Sequence, residues 1–169
     1  MDPQHPAPAQ IITEQQLNYR VEALTLHREL HVGGRNDPDY WLIDTMILES
    51  KLNYVTGLMQ LIPMADETHR ELREALEAQV TATRQSIEHA YRMWHIRTQF
   101  AELWEEVRLN HIQNAMIGWE AMRVHMDEFT DRIAAQGVAE LEDEMNVLLM
   151  EIDVQELHIL EMELQRLHI

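Results

Sequence analysis

The sequence predicts an all-α fold: an elongated bundle of four to five helices with a very long third helix and an extended N-terminal arm. Three observations carry this. Met, Leu, Glu, Ala, Gln and Arg are abundant and all favour helix, whereas Gly and Pro occur only five times each in 169 residues. A mainly apolar stripe runs from Leu72 to Ile133 in steps of three or four residues, the period of an α-helix. No proline interrupts that span, and Gly118 is its only glycine.

Residues 1–12 are predicted to be an arm, because Pro3, Pro6 and Pro8 disfavour helix and favour extended backbone. Residues 13–169 are predicted to form a single α-helical domain, with helices at about 13–32, 38–62, 66–109, 111–136 and 139–168. Thr13 with Gln16 makes a capping-box signature for the first helix. Its Leu17, Val21, Leu24 and Leu30 are expected to face inward, and Gly33-Gly34 ends it. Asp37-Pro38 opens the second helix as an N-cap residue followed by a proline in the first turn. Trp41, Thr45, Leu48, Leu52, Val55, Met59 and Ile62 repeat at helical spacing, and further apolar residues cover much of the remaining surface. That distribution predicts a central helix, with Gly57 as a point of close approach and Pro63 as its end.

Asp66 is the predicted cap of the third helix. As one piece to Gln136 it would span roughly 100 Å at 1.5 Å per residue. The segment Asn110 to Asn114 is the favoured hinge that divides it in two, since Asn prefers caps to helix interiors. The stripe passes through Leu72, Leu76, Val80, Thr83, Ile87, Ala90, Trp94, Arg97, Ala101, Trp104, Arg108, His111, Ala115, Trp119, Met122, Met126, Phe129 and Ile133. From Val80 to Ala115 its spacing is heptad-like, as in a coiled-coil contact. Ile96, Phe100, Leu103 and Val107 make a second stripe on another face. The middle of the helix therefore packs on two sides, or packs on one and meets a partner on the other.

Gly137 is read as a C-terminal stop before the last helix. There Leu141, Met145, Leu148 and Ile152 fit a helical face, as do Leu157, Leu160, Leu164 and Leu167. Met150, Ile152 and Val154 also alternate with Glu151 and Asp153 in the manner of a strand. Helix is preferred, because no turn residue appears and Glu, Leu and Met dominate.

The formal charge of −17 argues against direct binding to nucleic-acid phosphates. The absence of cysteine excludes disulfides, thiol nucleophiles and Cys-type metal sites. The most apolar window, Tyr40 to Ile62, contains Asp44, Glu49, Lys51, Asn53 and Gln60 and so reads as a buried helix, not a membrane span. No basic-then-apolar leader opens the chain, which gives an expected location in the cytoplasm or within a virion.

An acidic helical bundle raises the di-metal carboxylate enzymes, which need Glu-x-x-His on two helices to bring both ligands to one inward face. None of the ten histidines has a Glu three residues before it. The metal-ligand candidates are therefore weak. His27 and His31 lie one turn apart, a chelating spacing, but their plainer role is to complement the dipole at a helix C-terminus. Asp66 with His69 and Asp2 with His5 are the nearest matches to the carboxylate–histidine spacing; the first falls at a helix start and the second in the arm. Neither a nucleophile elbow nor a phosphate-cradling glycine loop is present. No catalytic residue, cofactor site or small-molecule substrate is predicted.

Trp94, Trp104 and Trp119 project into one arc of the long stripe, where core packing is the plainer reading and interface anchoring the sharper one. Arg97 and Arg108 occupy positions where a simple core would hold apolar groups, and a buried Arg needs a carboxylate from the acidic last helix or from another subunit. These five residues are the predicted interface. The function they suggest is that of a non-enzymatic structural or adaptor subunit with protein partners, in a homo- or hetero-oligomer. A phage or virion component is one concrete form. Two alternatives stand beside it: a metal-binding bundle using His and carboxylate ligands, and an acidic inhibitor that mimics nucleic acid, which neutralising Glu142, Asp143 and Glu144 would weaken.

Overall fold

The protein is an all-α bundle. The computed structural model describes residues 12–31, 33–129 and 135–168. Its helices are α1 (Glu14–Glu29), α2 (Pro38–Gln60), α3 (Arg70–Arg108), α4 (Ile112–Phe129) and α5 (Ala135–Leu167). The predicted arm lies outside the described residues except for Ile12, as do Ile133 and the side chain of Phe129 at the end of the stripe. No helix among the described residues is long and apolar enough to cross a membrane. The sequence predicts one domain over 13–169, whereas the contacts gather into two compact units, one ending at Trp94 and the other beginning at His95.

In the first unit, the Thr13–Gln16 capping box closes the start of α1, each residue satisfying the other's backbone amide. Leu17 is buried, but Leu30 is 71% exposed because α1 stops before it. Arg28 pairs with Asp44 of α2 and lies 5.0 Å from the centre of the Tyr40 ring. The Asp37 side chain caps α2 by accepting from the Asp39 amide at 2.9 Å, and Pro38 follows in the first turn. The Trp41 indole N–H reaches back to the Arg35 carbonyl at 2.8 Å, tying the α1–α2 connection to α2.

Helix α2 is less central than its sequence predicts. Ile43, Thr45, Ile47, Ser50, Val55 and Gly57 are buried, whereas Leu42 and Met46 are exposed. The buried hydroxyls of Thr45 and Ser50 donate to carbonyls one turn back in the same helix, at 3.0 and 2.8 Å. Gly57 makes no close approach, since a Cβ there would meet nothing within 4 Å. After α2, Arg73 donates to the carbonyls of Pro63 at 3.0 Å and Asp66 at 2.8 Å, which braces the turn into α3.

In the second unit the chain stops helix at Leu109–His111. Asn110 takes the left-handed conformation at φ 58°, one that Asn tolerates better than most residues. The His111 amide donates to Glu106 and the Asn110 amide to Val107, the paired bonds of a Schellman cap. Gly137 lies inside α5 and is not a stop, because that helix already begins at Ala135. The segment from 145 to 165 is helical throughout, without the strand its alternation allowed.

The core of this unit selects one of the two stripes on α3. Ile96, Phe100, Leu103 and Val107 are buried with Arg97, whereas Ala101, Trp104, Arg108 and His111 are exposed. On α4 the stripe is buried as expected at Ala115, Trp119, Met122 and Met126. On α5 the buried face is Leu141, Met145, Leu148 and Ile152. Gly118 lets α4 sit against Leu103, since a Cβ there would come within 2.3 Å of the leucine Cδ2.

Candidate functional site

The predicted interface residues separate into three environments. Arg97 and Trp119 belong to the core of the second unit. The Arg97 guanidinium pairs with Glu144 of α5 and lies 5.6 Å from the centre of the Phe100 ring. The carboxylate that the sequence required thus comes from the last helix of the same chain. Trp119 is buried, and its indole N–H donates to the Met145 carbonyl at 2.9 Å, linking α4 to α5. Trp94 is half-buried, with the Tyr91 ring edge-on at 6.5 Å between centroids. Trp104 is 40% exposed, and Arg108 is exposed and paired with Glu105 on its own helix at 2.8 Å. Arg97 and Trp119 therefore serve the core of the second unit and present no exposed interface surface.

The metal-ligand candidates also regroup. His27 and His31 stand ring to ring at 5.4 Å between centroids. His31 is joined by Asp37 and Asp39, and the three offer ligand atoms within 4.8 Å of one another. Asp37 already accepts the Asp39 amide with one oxygen and faces the His31 Nδ1 at 3.3 Å with the other. The cluster sits at the N-terminus of α2, where the helix dipole disfavours a cation. Its arrangement is that of a helix cap whose Asp37 carboxylate also faces the His31 ring. Asp66 caps the helical turn that precedes α3 and bonds the His69 ring at 2.6 Å, which holds its carboxyl below the ordinary range.

Among the described histidines, His89 is one whose ionisation the fold shifts. It is half-buried with its ring edge-on to Trp41 at 5.8 Å. Burial lowers its pKa below the ordinary value of 6.5; Asp44 opposes the shift and Arg92 adds to it. The native state therefore holds fewer protons on His89 than the unfolded state does just below that value. Its contribution is complete above the unfolded pKa and is lost as pH falls through the window beneath it. Urea denaturation at about pH 7.5 and 5.5 is expected to show the wild type losing stability on acidification relative to His89→Gln, which lacks this contribution.

A cavity of about 410 Å³ opens between α4 and α5. Trp119, Met126 and Met145 give it an apolar floor, and Arg123, Asp127 and Glu142 give it a charged rim. The Arg123 guanidinium lies 5.9 Å from the centre of the Trp119 ring.

The most distinctive surface is the outer side of α5. Val147, Met150, Val154 and Leu157 recur in steps of three and four and are all exposed, Val154 at 59%. At 100° per residue this stripe lies roughly opposite the buried Leu141, Met145, Leu148 and Ile152. Leu160, Leu164 and Leu167 extend the exposed apolar surface towards the end of the helix. None of the described residues of α5 beyond Ile152 is buried. Helical spacing in the sequence marks the inner face and the terminal leucines, whereas Val147, Met150 and Val154 emerge as one surface only in the fold. Their 3-4-3 spacing was the available signal, and the strand-like alternation around Met150 and Val154 concealed it.

The chain matches no protein-family model, no curated protein and no solved structure.

Proposed function

We propose that this protein is a non-enzymatic structural or adaptor subunit that joins a larger protein assembly through the outer face of α5. The single observation that carries the reading is the double-faced character of that helix. One apolar stripe closes the core, and a second, opposite stripe meets solvent. Soluble chains seldom display contiguous large apolar side chains without a partner, because each exposed Val, Leu or Met forgoes about 1.5–3 kcal/mol of available burial. Exposed Trp104 adds an anchor-type side chain to the same unit.

Particle size in the cell that makes the protein tests this. The wild-type chain should elute from size-exclusion chromatography in a particle well above the mass of a single chain. Val154→Ser with Leu157→Ser should return it to the position of the free chain. Elution of both forms as the free chain would overturn the reading.

A further inference from the structure

We propose that the outer face of α5 receives an amphipathic helix whose apolar face is flanked by Arg or Lys. This deepens the docking reading above and rests on it. The charge around the stripe supplies the specificity. Val147, Met150, Val154 and Leu157 are bracketed along the helix by exposed Asp143 and Glu161, which continue the same line at four-residue spacing. Exposed Glu151 and Asp153 lie to either side, about 80° from the centre line at 100° per residue. From Val138 to Gln165 the sequence contains nine acidic residues and no Lys or Arg.

An apolar seam with charged flanks is the surface that one helix presents to another, and the flanking charges choose the partner. A second copy of α5 would set Glu151 and Asp153 against like charges in a two-fold pairing. An anionic lipid surface would be repelled by the same ring of carboxylates. A helix with Leu or Ile along its seam and Arg or Lys beside it covers the stripe and satisfies the carboxylates together.

The test uses the full chain and synthetic peptides of about three heptads, with Leu at the seam positions. One peptide carries Arg at the flanking positions and a second carries Glu. A third keeps the Arg residues but scrambles the leucines. Binding is read by fluorescence anisotropy at low and high salt. The Arg-flanked peptide should bind at least roughly tenfold more tightly than the Glu-flanked one at low salt, with the gap narrowing as salt rises. Val154→Ser with Leu157→Ser, which leaves the charge unchanged, should remove the binding.

Equal binding of the Arg- and Glu-flanked peptides would overturn the basic-helix proposal and leave the docking reading intact. Equal binding of the scrambled peptide would show charge attraction without the stripe and overturn the proposal. No peptide binding, with a dimer that Val154→Ser and Leu157→Ser dissociate, would assign the face to a second copy and overturn it. No binding by a chain that remains monomeric would overturn both the proposal and the docking reading.

Discussion

Glu144→Ala is expected to destabilise the second unit by roughly 2 kcal/mol, less than the loss of one partner from a wholly buried ion pair costs, because the Glu144 side chain is 35% exposed. Arg97 is only 5% exposed, its guanidinium is paired with Glu144, and its Nε–H has no acceptor among the described residues. Loss of the carboxylate would leave a cation that cannot shed its proton and whose only remaining compensation is water entering where the Glu144 side chain stood. Arg97→Met should behave differently. It removes the charge, keeps most of the side-chain volume and leaves Glu144 partly solvated, so it should cost less than about 1 kcal/mol or even stabilise. Urea denaturation followed by circular dichroism checks both. Equal losses in the two variants would contradict this account of the pair.

The same contact changes the test of the acidic-inhibitor alternative. Glu142 and Asp143 are exposed and should tolerate neutralisation, but Glu144 pairs with the buried Arg97. A triple neutralisation would lower stability whatever the acidic surface does. Glu142→Gln with Asp143→Asn is the informative variant.

Leu148→Ala is expected to cost about 3 kcal/mol, because a fully buried leucine leaves both lost transfer energy and a cavity behind. Leu148 is 0% exposed on the inner face of α5. On the outer face, Val154→Asp and Leu157→Asp should each change stability by no more than about 0.5 kcal/mol, as surface substitutions usually do. The contrast is the thermodynamic signature of a helix that uses one apolar face for its own fold and leaves the other spare. A large loss from Val154→Asp would mean that the outer stripe also supports the fold.

The helical class was legible because periodicity and composition agree along the chain. So was the break between α3 and α4, where Asn at 110 suits the left-handed cap conformation. The orientation of α3 was not legible. Ile96, Phe100, Leu103 and Val107 lie one residue, about 100°, round the helix from Arg97, Ala101, Trp104 and Arg108. Both sets have helical spacing, and only the packing of α4 and α5 decides which is buried. The grouping of His31 with Asp37 and Asp39 was not legible either, because it forms across the α1–α2 connection. Spacing along a helix reports neighbours on that helix alone. The need for a carboxylate beside Arg97 was legible from its position in an apolar stripe, whereas the identity of Glu144 required the fold.

The most direct test of the docking face is a photoactivatable cross-linking residue placed at Val154, compared with one at Lys51, an exposed position on α2. Irradiation in the cell that makes the protein should give one discrete adduct from position 154 and none of comparable yield from position 51. No discrete adduct at 154, or the same adducts from both positions, would contradict the claim that the outer face of α5 is the protein's docking surface.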